Sequence, residues 1–292
     1  MANTQDIRRR IKSIRNTSQI TKALQMVAAS KMRKAQMAAL AGRPYSTLMN
    51  RVLVSLQQRT DSRLHPLLQV REVKKELVVV LSTDKGLAGP LNTNLFRELG
   101  KFDDARTDYV TSGTKGRQFV VRTRRQLVAD FPLKDAPAFT ETKEIAKFCV
   151  EKFLNGEVDK VSVLFTHFIN TINQKPTIRT LLPISSFDLP QASVAETTTE
   201  GSGDPMIGYM FEPTAESVLD VMLPYYLHYQ VFQMVMDARA SEHSSRMVAM
   251  KNATDNAKQF IKDLTLEYNK MRQASITTEL LEISTAQMAV GG

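Results

Sequence analysis

The residue types that usually carry chemistry are few in this sequence and widely scattered. The four histidines are His65, His167, His228 and His243, and none stands at the helical i, i+4 spacing from a second ligand that zinc sites use. Cys149 is the only cysteine, so an internal disulfide or a multi-cysteine metal site is excluded. Because it lies in an apolar stretch, we expect an ordinary buried thiol. The sequence therefore predicts neither a metal nor a cofactor.

Two glutamates near the end of the chain have the spacing of a carboxylate pair. Glu279 and Glu282 are three residues apart, so a helix would place them on one face. General acid catalysis needs a concave pocket that excludes water, and a helical rod provides none. We interpret both side chains as facing solvent or a partner, and predict that this chain is not itself a catalyst.

One glycine-containing stretch could bind phosphate. Ser82–Gly89 (STDKGLAG) follows an apolar run and precedes a helical segment, where exposed backbone N–H groups can hold an anion. It matches neither the P-loop pattern nor GxGxxG, and no acidic residue stands at the matching distance. A structural turn is the favoured interpretation, and a nucleotide-dependent enzyme on this part of the chain remains an alternative.

The end of the chain predicts one long helix. No proline or glycine occurs from Tyr225 to Val290, and an unbroken helix of that length would measure roughly 100 Å. Steps of four and three define a heptad seam, which is typical of a coiled coil. The expected seam residues are Met250, Thr254, Ala257, Ile261, Leu264, Tyr268, Met271, Ser275 and Thr278.

The beginning of the chain supplies the partner helix. Thr4–Ala41 also lacks proline and glycine, and its own four–three seam is Ile7, Ile11, Ile14, Ser18 and Thr21. A second apolar line on a neighbouring face is formed by Ile20, Leu24 and Val27. Gly42-Arg43-Pro44 predicts a kink or short break, because proline removes a backbone donor. We expect the two terminal helices to pair in antiparallel fashion.

The middle of the chain alternates apolar runs with helical segments. Expected strands are Glu76–Leu81, Asp108–Thr111, Lys160–Phe168, Thr177–Ile184 and Tyr209–Phe211, and expected helices are Leu91–Leu99, Lys115–Arg122 and Thr140–Leu154. This order predicts an open α/β sheet of Rossmann-like topology. The fold class is thus α/β with long helices, and the predicted parts are a helix over 1–59, an inserted domain over 76–211 and a helix over 212–292.

Charge is distributed unevenly. The chain of 292 residues has a net charge of +9, and residues 1–43 carry one acidic residue, Asp6, among many basic ones. Such a helix gains little from intrahelical ion pairs, so it should face an acidic surface: phosphate, lipid head groups or protein. A basic coiled-coil protein that binds nucleic acid is therefore an alternative, although no aromatic–basic platform or known docking motif supports it.

Four stretches carry a resemblance to a known family. They are RRRIKSIRNTSQITKALQMVAASKMRKAQ (8–36), STDKGLAGPLN (82–92), SRMVAMKNATDNA (245–257) and YNKMRQASITTELLEI (268–283). In type and order they resemble the gamma subunit of the F-type ATP synthase. The resemblance implies a central rotor shaft, an antiparallel coiled coil with an inserted Rossmann-like domain. It would turn inside a hexamer of alpha and beta subunits and couple proton flow to ATP synthesis.

The resemblance also implies contact residues. It places four residues of the last helix at a catch loop of the catalytic beta subunit: Arg272, Gln273, Thr277 and Glu279. A second group lies in stretches near the acidic lever of that subunit: Leu24, Lys31, Arg33, Lys34 and Arg246. Many family members have Met at the position of Leu24, a volume-conserving exchange. Ala88-Gly89-Pro90 departs from the usual Cys-Gly-Gly.

Further partners implied by the resemblance are the epsilon subunit and the membrane c-ring, with one copy of this chain per complex and no nucleic acid. No run of eighteen apolar residues occurs, so we expect no direct insertion into the bilayer. Basic residues interrupt the start of the chain, which argues against a signal peptide. The expected location is the cytoplasmic face of a bacterial inner membrane, as a peripheral protein.

Overall fold

The computed structural model describes residues 4–59, 65–184, 212 and 214–290. Within them the chain forms helices α1 (Thr4–Ala41), α2 (Arg43–Arg59), α3 (Leu91–Leu99), α4 (Thr114–Arg122), α5 (Phe139–Leu154) and α6 (Ala215–Val290). The strands are β1 (Glu76–Leu81), β2 (Thr107–Ser112), β3 (Leu127–Asp130), β4 (Lys160–Phe168) and β5 (Gln174–Leu182). No helix among the described residues has an apolar stretch long enough to cross a membrane.

Contacts divide the chain into two units. One contains Met1–Val27 and Met247–Gly292, and the other contains Ala28–Arg246. Both long helices, α1 and α6, contribute to each unit. The predicted division at 1–59, 76–211 and 212–292 stays a prediction.

The unit formed by the chain ends is an antiparallel helix pair. Thr21 and Thr254 face each other with their hydroxyl oxygens 2.6 Å apart. Ile7, Met250 and Ala257 are buried, as the predicted seam requires. Half-buried positions continue that seam at Ile11, Ile14, Ser18, Ile261, Leu264, Tyr268 and Met271.

The predicted seam is wrong at its far end, since Ser275 and Thr278 are exposed. In an antiparallel pair fixed by Thr21 and Thr254, Thr4 lies opposite Met271. No described residue of α1 is therefore left to cover Ser275 or Thr278. The second apolar line is also uncovered, because Ile20, Leu24 and Val27 are all exposed.

The central unit contains a five-stranded sheet with the order β3-β2-β1-β4-β5. β1 pairs in parallel with β2 and β4, β2 pairs in parallel with β3, and β5 is antiparallel to β4. The Rossmann-like topology is thus confirmed. β3 was not predicted, and the predicted strand Tyr209–Phe211 lies outside the described residues.

Alternation along the strands sends side chains to two helical layers. Val78, Val80 and Leu164 pack with α3 and α4 on one face. Leu77, Val79 and Val163 pack on the other face with residues of α2, α5 and α6. Cys149 of α5 is fully buried there, as predicted, and burial raises the pKa of its thiol to about 12.

The breaks in the helices follow from local chemistry. At Gly42, between α1 and α2, a Cβ would lie 2.5 Å from the Tyr229 hydroxyl, so a larger residue would have to displace that side chain. α6 begins at Ala215, within the predicted part 212–292 and before the breaker-free stretch Tyr225–Val290. Thr214 Oγ1 accepts a hydrogen bond from the Ser217 N–H (3.2 Å), and Ser217 Oγ accepts one from the Thr214 N–H (3.3 Å), a reciprocal cap.

Pro224 lies inside α6, one residue before the breaker-free stretch Tyr225–Val290 from which the long helix was predicted. A proline inside a helix removes one backbone hydrogen bond. Burial of Leu219, Leu223 and Leu227 around it offsets that loss and keeps the turn helical.

Candidate functional site

The residues expected to contact a partner at the end of α6 are all exposed. Arg272, Gln273, Thr277 and Glu279 form part of an exposed segment that runs from Arg272 to Met288. Thr277 Oγ1 donates to the Gln273 carbonyl at 2.9 Å, and Glu279 lies 3.4 Å from Ser275 Oγ. Both bonds stay within one helix, so the charged and amide groups remain available to a partner.

This exposed segment also carries large apolar side chains. Ile276, Leu280, Leu281, Ile283 and Met288 are exposed, Leu280 at 62 %. Large apolar groups gathered on one exposed helix end are typical of a surface that a partner covers. Glu282 is exposed in the same segment, in agreement with its interpretation as a surface group.

The expected contact residues on α1 differ in how exposed they are and in whether they bind a group within the chain. Leu24 is 37 % exposed, and Arg33 and Lys34 are exposed. Lys31 is half-buried because its ammonium donates to the carboxylate of Asp135. Lys31 therefore already has a partner within the chain, whereas Arg33 and Lys34 point to solvent.

Arg246 also binds within the chain. Its guanidinium donates to Glu242 Oε1 (2.8 Å), to the Lys85 carbonyl (3.2 Å) and to the Gly86 carbonyl (3.3 Å). The loop that resembled a phosphate-binding turn thus offers carbonyl oxygens to an arginine. That arrangement attracts cations rather than phosphate, and it supports the structural interpretation of Ser82–Gly89.

His243 lies between Lys31 and Arg246. Its ring Nε2 is 3.9 Å from an oxygen of Asp135, the acceptor of Lys31, and its Nδ1 is 3.4 Å from the Arg246 guanidinium. Burial lowers the pKa of His243, so the ring is neutral near pH 7. The Lys31 hydrogen bond, ahead of other effects, lowers the pKa of Asp135. Two of the predicted contact residues are thus brought together with one buried histidine between them.

Sequence reasoning missed the segment Asp237–Arg246 of α6, which we call the polar collar. Only Ala238 and Ala240 in it are apolar, yet eight of its ten residues are buried and the other two, Ala238 and Arg246, are half-buried. Polar side chains on every side of a helix usually indicate exposure to solvent. The available signal was a serine-rich interruption of the apolar pattern, DARASEHSSR, within a long helix.

The collar binds backbone carbonyls of the part of the central unit that holds the sheet, from β1 to β5 (76–182), which we call the α/β domain. Ser241 Oγ donates to the Thr166 carbonyl (2.9 Å), Ser244 Oγ to the Thr171 carbonyl (2.7 Å) and Ser245 Oγ to the Ala88 carbonyl (2.7 Å). Asp237 also pairs with His167, Oδ2 to Nδ1, at 2.6 Å. These acceptors lie near the carboxyl ends of β1 and β4 or in the turn after β4.

Arg239 is the most deeply buried cation of the collar, at 4 % exposure. Its guanidinium donates to Glu242 Oε2 (2.9 Å), to Asp84 Oδ2 (3.2 Å) and to the Leu133 carbonyl (2.9 Å). Burial works to lower the pKa of Arg239, but Glu242 and Asp84 outweigh it and the pKa is raised. Arg239 therefore stays charged, and its guanidinium is held by two carboxylates and one carbonyl.

The collar occupies the crevice at which open α/β sheets commonly bind ligands. That crevice lies outside the carboxyl ends of the strands where the strand order reverses, here between β1 and β4. The cavity that remains there, lined by Ser82, Thr166, Arg239 and Glu242 among others, is about 10 Å³. Ligand pockets measure ~300–1,000 Å³, so this cavity is too small for a nucleotide. Among the described residues no cluster suited to a metal ion occurs.

Comparisons with known proteins cover nearly the whole chain. A family model described as ATP synthase matches residues 3–290. The chain is similar to the ATP synthase gamma chain of Methylacidiphilum infernorum, with 50% identity over 296 residues that cover 100% of both chains. It is also similar to the ATP synthase gamma chain of Opitutus terrae, with 49% identity and 99% of each chain covered.

Solved structures share the fold at low sequence identity. A chain of the Euglena gracilis mitochondrial ATP synthase, in an assembly of OSCP, F1 and c-ring, matches with a TM-score of 0.67 and 20% identity over 98% of this chain and 94% of that one. A chain of the Tetrahymena thermophila mitochondrial ATP synthase central stalk and c-ring matches with a TM-score of 0.59 and 24% identity, over 80% and 99%.

Proposed function

This chain belongs to the family of ATP synthase gamma chains, and from that premise we propose that it is the single, non-catalytic shaft of its complex. As the rotor shaft of an F-type ATP synthase, it couples proton flow across the membrane to ATP synthesis in the surrounding alpha/beta hexamer. Its own part in that reaction is mechanical, and the chemistry belongs to neighbouring subunits. The observation that carries this proposal is the exposed segment Arg272–Met288, which has apolar side chains and no cover within the described chain.

The exposed segment is the proposed contact with the hexamer. Arg272 and Gln273 would donate hydrogen bonds to a loop of a beta subunit, while Thr277 and Glu279 face the same partner about one turn later. Ile276, Leu280 and Ile283 follow at i, i+4 and i+7, which places them on one apolar stripe. A stripe of this kind can be buried by a ring of similar subunits at several angles, since apolar contacts are not directional.

The basic residues of α1 provide a weaker, exchangeable contact. Exposed ion pairs stabilise by at most about 1 kcal/mol each, so Arg33 and Lys34 can exchange one acidic partner for another as the shaft turns. Leu24 contributes apolar contact at an exposed position. Lys31 and Arg246 would reach an acidic partner only by sharing or leaving Asp135 and Glu242, so we propose a secondary role for these two.

We further propose the epsilon subunit and the c-ring as partners of the central unit, one copy of this chain per complex, and a peripheral position on the cytoplasmic face of a bacterial inner membrane. Similarity at about half identity to gamma chains of Methylacidiphilum infernorum and Opitutus terrae supports a bacterial complex. Nucleic acid is not a proposed partner, because the basic face of α1 has an acidic protein partner in this assembly.

Co-purification tests the proposal. The chain is expressed together with its alpha and beta subunits, and we expect a complex with three alpha, three beta and one copy of this chain. The complex should hydrolyse ATP, and the isolated chain should neither bind ATP nor hydrolyse it. ATP binding by the isolated chain, or binding to duplex DNA at physiological salt with a steep salt dependence, would contradict the proposal.

A further inference from the structure

The polar collar has a geometry that can transmit torque. We propose that Arg239 is a positioning residue that locks the α/β domain to α6, so that rotation of one carries the other. This inference rests on the proposed function, since a joint of this kind matters only in a shaft that turns. It concerns contacts inside the central unit, Ala28–Arg246.

Apolar contacts alone would hold α6 without fixing its angle. A helix that packs only against apolar side chains keeps much of its buried surface area when it turns about its own axis, because the hydrophobic effect is not directional. Hydrogen bonds need heavy-atom distances near 3 Å and aligned donors, so a small turn breaks them. A socket that resists twisting therefore requires polar bonds at several angles around the helix.

The collar meets that requirement. At about 100° per residue, position 241 lies ~200° around the helix from Arg239, position 244 ~140° and position 245 ~240°. Their bonds reach the Thr166, Thr171 and Ala88 carbonyls, while Arg239 reaches Asp84 and Leu133. The bonds thus surround α6, and no rotation of the helix can preserve all of them.

Arg239 is the member whose loss weakens the joint most. The three serines each make a single hydroxyl bond to the domain, Asp237 pairs with His167, and Arg246 donates to the Lys85 and Gly86 carbonyls of one loop. Arg239 instead joins two separate segments of the domain, through the Asp84 carboxylate and the Leu133 carbonyl, and is held in place by Glu242 of its own helix. Asp84 in turn accepts from the Thr114 N–H at 3.0 Å, at the start of α4. Arg239 therefore connects α6 with the loop after β1, with the chain after β3 and, through Asp84, with α4.

The first experiment compares Arg239→Met and Arg239→Lys with wild type in the assembled, membrane-bound complex. ATP hydrolysis and ATP-driven proton pumping are measured on the same vesicles. We expect Arg239→Met to hydrolyse ATP while the number of protons pumped per ATP falls below the wild-type ratio. Arg239→Lys, which keeps the charge, should recover part of the loss.

The matched control is Arg117→Met, which removes an arginine from an exposed ion pair with Asp130 (3.7 Å) in the same domain. It should leave the ratio of pumping to hydrolysis unchanged. A wild-type complex that does not pump would refute the proposed function itself. A wild-type complex that pumps, with an equal ratio in Arg239→Met, would overturn the joint alone.

A second measurement reads the joint directly. Val121→Cys places one accessible thiol on α4, where Val121 is 58 % exposed, and buried Cys149 does not react. With the complex stalled, a probe at this thiol should show a wider angular distribution in Arg239→Met than in wild type. An equal width would reject the inference. If Arg239→Met fails to assemble, Asp84→Asn replaces it, and a distribution as narrow as wild type in that milder variant is equally decisive.

Discussion

Two stretches of the same helix reverse the usual relation between polarity and burial. The polar collar, Asp237–Arg246, is almost entirely polar and is buried, whereas Arg272–Met288 contains large apolar side chains and is exposed. In the collar the α/β domain supplies carbonyl and carboxylate acceptors for Arg239 and for the three serines. The exposed segment has no such cover within the described chain. The contrast supports two proposals: that directional bonds at the collar fix α6, and that the exposed segment makes non-directional contacts with a partner that moves past it.

The largest expected effect comes from the same type of substitution, glutamate to glutamine, made once in each stretch. Glu242→Gln removes the buried charge that Arg239 and Arg246 share, and Glu279→Gln removes an exposed one. Loss of one partner from a buried ion pair costs about 3–5 kcal/mol, although the amide can still accept hydrogen bonds and should hold the cost near the lower end. We expect the exposed change to stay within about 0.5 kcal/mol.

Urea unfolding of the isolated full-length chain measures both changes in stability. Unfolding is monitored through a signal from the α/β domain. Equal urea midpoints for Glu242→Gln and Glu279→Gln would contradict the contrast between the two stretches. A charge in the collar would then contribute no more to stability than a charge on an exposed helix surface.

The second prediction uses leucine. Leu280→Ala in the exposed segment should change the stability of the isolated chain by less than about 0.5 kcal/mol. Burial of a leucine side chain by a partner is worth ~1.5–3 kcal/mol, so association with the hexamer should weaken about tenfold or more. Dissociation measured by titration of labelled chain into alpha/beta subunits tests this.

Its control is Leu223→Ala, at a fully buried position of α6. That change should cost about 2–5 kcal/mol in the isolated chain through lost burial and a cavity. If Leu280→Ala bound the hexamer as tightly as wild type, the exposed apolar stripe would not be the contact surface.

These contrasts also separate what the sequence could predict from what it could not. The long helices, their break at Gly42 and the seam as far as Met271 follow from the spacing of apolar residues and the absence of breakers. The parallel order of β1, β2 and β4 follows from alternation of strands and helices. These features depend on local composition and on period, which a single sequence records.

The collar and β3 depend on tertiary partners instead. LVAD, the sequence of β3, is too short to show a period, and its pairing with β2 decides its state. DARASEHSSR has the composition of a solvent-exposed helix, and only the loop carbonyls that surround it make burial favourable. The predicted extent of the seam was wrong for a similar reason, since Ser275 and Thr278 continue the heptad after the described part of α1 has ended.

A smaller effect is expected from a single hydroxyl. Ser245→Ala removes the 2.7 Å hydrogen bond to the Ala88 carbonyl, which keeps only the longer 3.4 Å bond from the Leu91 N–H, and loss of one such bond costs about 0.5–1.5 kcal/mol. Ser284→Ala, in the exposed segment of the same helix, should be neutral or slightly stabilising, because alanine is the better helix former. Thermal unfolding of the two variants side by side measures the difference. A loss in Ser284→Ala as large as that in Ser245→Ala would remove the distinction between the two stretches.

The smallest expected effect concerns the ion pair between Lys31 and Asp135, which stands between the two extremes because both side chains are partly exposed. Lys31→Met should cost at most about 1 kcal/mol at pH 7, and Lys34→Met, at an exposed site of the same helix, should cost almost nothing.

The pKa of Asp135 is lowered in the folded chain, chiefly by Lys31. A lowered carboxyl pKa stabilises the fold above the ordinary value, and that stabilisation disappears as the pH falls through the folded pKa. The stability difference between wild type and Lys31→Met should therefore be constant from pH 6 to 7 and shrink below pH ~4. Urea midpoints measured across that range test the sign: a difference that grows on acidification would mean that Lys31 acts through a group other than this carboxylate.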